Sequence, residues 1–235
     1  MKLNPILAKE RGDGSFDWLK TRFSFSFADW YDPKRMGFGV LRVLNDDEVA
    51  PGKGFGAHAH ANFEIITIVL EGAVAHKDST GSSGTVRADE VQVMTAGTGV
   101  THAEINASDR EPLRLFQIWI APDKDGHAPR YAEKAFIPEA RVNKWQCLVS
   151  GGDVPGSLMI HQDARIYRTK FTTGKARDFE LKADGRGAFL MVIEGEVRIE
   201  GVTLGRRDAV EITETRSFTI EATADADVLV IDVPL

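Results

Sequence analysis

Apolar and polar residues alternate along much of this chain. In RFSFSFADW, Phe23, Phe25 and Phe27 fall on one side and Ser24 and Ser26 on the other, the period of a half-buried β-strand. GVLRVLNDDEVAPGKG predicts a strand, a turn at Asn45-Asp46-Asp47, a second short strand and a Pro-Gly loop. FEIITIVLEG is rich in β-branched residues and stops at Gly72. LRLFQIWIAP alternates until Pro122, with Phe116 and Trp119 expected in the core and Gln117 on the opposite face, within reach of an interior site. Helical periodicity is scarce, and short strands at close spacing predict an antiparallel barrel or sandwich.

The stretch from Pro122 to Lys144 holds Asp123, Asp125, Gly126, Pro129 and Pro138 and reads as a connection between two halves. Strands resume beyond it in ARIYRTKF, AFLMVIEGEVRIEG, DAVEIT, SFTIEA and DVLVIDV. IVLEGAVAHKD and MVIEGEVRIEG both place Glu-Gly between an apolar run and a second strand. A charged turn and another strand follow each, in ADEVQVMTAG and RRDAVEIT. This repeat predicts a duplicated barrel, with domains at 1–134 and 135–235.

The composition, 43% hydrophobic and 27% charged over 235 residues, is that of a packed, soluble protein. A formal net charge of -6 disfavours direct nucleic-acid binding. The single cysteine, Cys147, permits no internal disulfide, which fits a reducing cytoplasm, and reads as a buried small apolar residue rather than a reactive thiol. The N-terminal MKLNPILAKERGDG lacks the apolar core of a signal peptide, and no run approaches the roughly 20 apolar residues that span a bilayer. A cytoplasmic protein without membrane association is expected.

Candidate chemistry lies in GKGFGAHAHANFE and MTAGTGVTHAEIN. Residues i and i+2 of a strand face the same way, about 6.5–7 Å apart. His58 and His60 therefore present two imidazoles to one side, and His102 and Glu104 present an imidazole and a carboxylate. On neighbouring strands the pairs would converge as three nitrogens and one anionic oxygen, a donor set for Fe(II), Mn(II), Ni(II), Co(II), Cu(II) or Zn(II). Taken one at a time, such pairs are equally what surface histidines give. His76 could line the cavity, with a structural hydrogen bond the favoured reading; His127 reads as a solvated loop residue and His161 as isolated.

Several blocks go further. Gly52, His58, His60, Glu64 and Gly72 resemble the first cupin motif, and Gly99, His102 and Asn106 the second. FSFADWYDP, GFGVLRVLNDDEVAPGKGFGAHAH, LEGAVAHKDSTG and QVMTAGTGVTHAE, in that order, resemble the pirin family from about Arg11 to Trp119, and more weakly beyond the connection. The resemblance implies an all-β double cupin: two antiparallel β-barrel or jelly-roll domains face to face. It implies one divalent transition metal on His58, His60, His102 and Glu104, with Glu64 outside the ligand set. Iron is the first expectation, with Mn, Ni, Co, Cu and Zn as alternatives. The second half has no His-x-His or His-x-Glu and is expected to bind no metal. Two departures stand out: His58-Ala59-His60 where pirins commonly read His-Pro-His, and Arg22 where a histidine often precedes FSF.

The implied activity is that of a quercetin 2,3-dioxygenase. A phenolic or enol-like small molecule and dioxygen would react at the metal, with Glu104 as the catalytic carboxylate. The alternative implied by the same family is an iron-binding, redox-sensing regulatory module that acts through a protein partner. Both readings use the same four residues.

Overall fold

The structure is a computed structural model that describes all residues from Met1 to Leu235. Strands dominate, joined by two 3-10 turns at Ala8–Glu10 and Pro138–Arg141, and no helix is long and apolar enough to cross a membrane. The chain forms two compact units. One comprises Gly12–Phe136 with Leu158–Gln162; the other comprises Met1–Arg11, Ile137–Ser157 and Asp163–Leu235. Packing thus assigns the first eleven residues to the C-terminal unit rather than to a 1–134 domain. Lys2–Ile6 is an edge strand there, paired antiparallel with Ala209–Thr213.

In the N-terminal unit a small sheet runs Gly54–His60, Val100–Asn106, Ala73–Asp78, Ser83–Arg87. A larger sheet runs Arg130–Ala135, Glu90–Thr95, Glu64–Glu71, Leu113–Ile120, Leu41–Val49, Leu19–Phe23, Gly12–Asp13. The period of two layers the larger sheet's inner face. Ile65, Met94 and Trp119 belong to one apolar cluster, and Leu19, Val49, Val69 and Leu115 to another. Between them, register sets Gln92, Thr67, Gln117 and Asn45 side by side in one cross-strand row. That buried polar row lies within an otherwise apolar barrel, where it needs hydrogen-bond partners.

Three local expectations need correction. Asn45-Asp46-Asp47 is no turn: Leu41–Val49 is one strand, paired on both edges with Leu113–Ile120 and Leu19–Phe23, and its buried Asp47 accepts from Thr21 Oγ1 at 2.5 Å. The FSF strand ends at Phe23, and Ser24 and Ser26 are buried rather than solvent-facing. Ser26 Oγ donates to Asp32 O and accepts from Asp32 N–H, both at 2.9 Å, so a loop replaces the next ladder bonds. The Pro-rich connection contains a strand, Arg130–Ala135, that pairs with Glu90–Thr95.

The C-terminal unit repeats the plan. A small sheet runs Ala176–Glu180, Ser217–Ala222, Val197–Ile199, Val202–Leu204, and the larger one includes Lys2–Ile6, Ala209–Thr213, Arg186–Glu194, Ala226–Pro234, Arg165–Phe171 and Gln146–Ser150 in that order. The two Glu-Gly turns share a cause. Gly72 and Gly195 have φ of 79° and 83°, and each packs its Cα against backbone. A Cβ would meet Pro112 O at 2.8 Å in the first turn and overlap Asp225 O in the second. Gly195→Ala is therefore expected to cost about 1–2 kcal/mol from the left-handed backbone, and more from the overlap with Asp225 O. Urea denaturation of the variant checks this.

Candidate metal centre

Three adjacent strands of the small sheet each contribute a same-face pair. His102 on Val100–Asn106 stands opposite His58 on one side and Asp78 on the other. Glu104 stands opposite His76, while a bulge between His102 and Glu104 sets Glu104 opposite Phe55 on the His58 strand. The rings of His58, His60 and His102 approach with centroids 4.5–5.0 Å apart, and one donor atom from each lies within 4.8 Å of the others. The i, i+2 reading thus brings the three histidines together. The bulge explains why Glu104 is offset: its oxygens group with His102 and His76 within 4.8 Å, and not with His58 and His60.

The histidines are prepared as lone-pair donors. His58 Nδ1 lies 2.7 Å from the carbonyl oxygen of Gly56, which can only accept, so Nδ1 carries a proton and Nε2 is the atom left for a metal. Burial, and then the charge of His58, pushes His60 down to about 4. Burial, then His58 and His60, pushes His102 down to about 3. Both are neutral near neutral pH. His102 is 2% exposed, and neither of its nitrogens has a hydrogen-bond partner. An orphaned buried polar atom costs about 1–3 kcal/mol, and a cation between three imidazoles would satisfy it. Neutral nitrogens with one nearby carboxylate fit a first-row transition ion. A structural zinc site, by contrast, favours thiolates.

Glu104 is buried, and burial raises its pKa against the opposing pull of His76 and its hydrogen bonds. Gln92 Nε2 and Gln117 Nε2 donate to its two oxygens. Gln117 does reach the site, but from the face it shares with Trp119, as period two requires, and not from an opposite one. His76 is hydrogen-bonded as favoured and also faces the cavity, the other reading the sequence left open. The expected hydrogen bond exists, Nε2 to Asp78 Oδ2 at 3.1 Å, yet Nδ1 is buried without a partner beside His102 and Glu104. The signal was available in AHKD, a third i, i+2 pair. Tyr131, from the presumed linker, stacks on His76 at 4.4 Å.

Other candidates lie apart. His127 is not freely solvated: it stacks on His161 at 3.9 Å and bonds Asp123 at 2.6 Å. Glu64 accepts from Thr95 at 2.9 Å and joins neither donor group. Arg22 pairs with Asp13 at 2.7 Å. Burial pushes the Cys147 thiol up to about 11, away from reactivity. On the open side, Trp119 sets its edge against His60 at 4.8 Å and packs on Phe27 and Phe63. A cleft of about 380 Å³ beyond it is lined by Phe27, Trp30, Tyr31, Arg42 and Trp119 among others.

The profile of the Pirin family matches residues 7–120, and that of the quercetinase C-terminal cupin domain matches 147–233. The quercetin 2,3-dioxygenase of Escherichia coli (strain K12) is 41% identical over 227 residues, 97% of this chain and 96% of that protein. The chain belongs to the pirin family. A second relative, the pirin-like protein of Caulobacter vibrioides, is 41% identical over 222 residues, covering 94% of this chain and 95% of its own. Among solved structures, the bacterial pirin YhhW of Escherichia coli in complex with nickel(II) matches with a TM-score of 0.94 at 40% identity, over 99% of both chains. The fold of this pirin is accordingly the two-domain cupin fold.

Proposed function

We propose that this pirin is a metal-dependent dioxygenase that opens flavonols such as quercetin, at one cation held by His58, His60, His102 and Glu104. The observation that carries it is the buried, unpartnered His102 among two other imidazoles and a carboxylate. The quercetin 2,3-dioxygenase name of a 41% identical relative supports the substrate class. Iron is the first candidate, and the nickel complex of YhhW supports a site open to several first-row ions. A bound cation would supply Lewis-acid stabilisation of negative charge on a substrate oxygen.

The remaining work falls to side chains. His58 and His60 are partly exposed while His102 and Glu104 are buried, so a substrate approaches from the His58–His60 side. Trp119 and Phe63 form an aromatic wall next to His60 for a planar phenolic ring. Glu104 is the carboxylate placed to accept a proton from a substrate hydroxyl. In the C-terminal unit the corresponding interior is filled by Phe179, Phe218 and Ile220, so one cation per chain is proposed.

Glu104→Gln is expected to lower metal retention and quercetin turnover by about 10–100-fold while the fold survives. Metal analysis after dialysis and circular dichroism check both halves of that statement. The functional test is oxygen uptake with quercetin by the iron-loaded protein. Uptake well above that of free iron is expected. Tight metal retention without uptake would favour the iron-binding regulatory module instead.

A further inference from the structure

Three neutral side chains converge on the Glu104 carboxylate, and none belongs to the histidine cluster. Gln92 Nε2 donates to Oε1 at 2.5 Å, Thr67 Oγ1 lies 3.1 Å from the same oxygen, and Gln117 Nε2 donates to Oε2 at 2.7 Å. The amides are held in turn. Tyr131 Oη lies 3.2 Å from Gln92 Oε1, and Thr67 Oγ1 lies 3.2 Å from Gln117 Oε1. Each amide has its carbonyl oxygen beside a hydroxyl and its NH2 end turned to the carboxylate, while the single Tyr131 proton is shared between Gln92 Oε1 and the nearer Glu133 Oε2, at 2.6 Å. The second N–H of Gln92 reaches Thr67 Oγ1 at 3.0 Å, and the single proton of Thr67 serves either Glu104 or Gln117. All three residues are buried and stand in one cross-strand row.

Buried, charge-assisted hydrogen bonds are strong, and this carboxylate has donors on both oxygens. Its position is also distinct from that of the histidines: a donor atom from each of His58, His60 and His102 lies within 4.8 Å of the others, while Glu104 groups only with His102 and His76. The geometry points to a detachable ligand: Gln92, Thr67 and Gln117 form a second seat for the Glu104 carboxylate, in competition with the cation. This rests on the metal-centre reading above. Withdrawal of Glu104 into the seat opens a position for a substrate oxygen without leaving a bare charge in the barrel. The contrary arrangement, in which the amides hold Glu104 onto the cation, predicts the opposite sign in the following experiment.

Zinc affinity is measured by chelator competition on the full chain, in the wild type and in Gln117→Leu, each with and without Glu104→Gln. A competing seat makes Gln117→Leu bind zinc about tenfold tighter, the worth of one hydrogen bond to a charged group. The gain then vanishes in the Glu104→Gln background, since the two residues act as a pair. Weakened or unchanged affinity in Gln117→Leu overturns the proposal. Should that variant fail to fold, the wild type decides. The side-chain amide signals of 15N-labelled Gln92 and Gln117 must then shift and lose exchange protection when zinc is added, and unchanged signals overturn the proposal. A wild type that binds no zinc refutes the metal centre itself, and the seat with it.

Discussion

His102→Leu will release the metal and, at the same time, stabilise the metal-free protein. His102 is the donor common to both groups of metal-competent side chains, so its loss dismantles either. Affinity should fall by more than about 100-fold, beyond what the loss of an outer hydrogen-bonding partner costs. The opposite effect on stability follows from burial. Both ring nitrogens are enclosed without partners, and burial drives the ring's pKa down to about 3. Leucine removes those orphaned atoms at similar volume, worth about 1–3 kcal/mol. Thermal melting in chelator should show a higher midpoint than the wild type, and metal titration a lost binding step. A lower midpoint in chelator would mean that His102 has a structural partner.

Arg186→Met will destabilise the protein by about 3–5 kcal/mol, the cost of leaving a buried charge uncompensated. Arg186 and Asp232 side chains are 3% and 1% exposed, and Nε meets Oδ1 at 2.6 Å. A second nitrogen of Arg186 donates to Asp232 O at 3.1 Å. Without the guanidinium, Asp232 keeps only the Lys182 N–H, at 3.1 Å. Changing both, Arg186→Met with Asp232→Leu, should recover most of the loss, because a packed apolar pair avoids the desolvation that the ion pair had to offset. Urea midpoints of the single and double variants read the difference.

The strands and the histidine cluster were legible because both obey period two. A same-face pair of histidines on one strand and a His-x-Glu on another needed only adjacency to meet, and the sheet supplies it. What stayed hidden depends on register. The bulge that offsets Glu104, and the row that lines Gln92, Thr67 and Gln117 up beneath it, come from which residues pair across strands. His76 and Asp78 were written in the same spacing, inside the LEGAVAHKDSTG block, but neither is among the ligands that the family resemblance implies, so His76 read first as a structural hydrogen bond. Asn45 and Asp47 misled because Asn and Asp favour turns, and only ladder pairing on both edges of the strand, with Asp47 accepting from Thr21, overrides that preference. Lys2–Ile6 was invisible as an element of the C-terminal unit because its partner lies some two hundred residues further along the chain.

The central claim is that a single cation sits among His58, His60, His102 and Glu104. Anomalous diffraction at the absorption edge of the bound metal, on crystals of the loaded protein, tests it directly. One peak per chain is expected, about 2.0–2.2 Å from a nitrogen of each histidine and from an oxygen of Glu104 when that carboxylate is attached. A peak away from the three histidines, or a second peak inside the C-terminal barrel, would contradict the account.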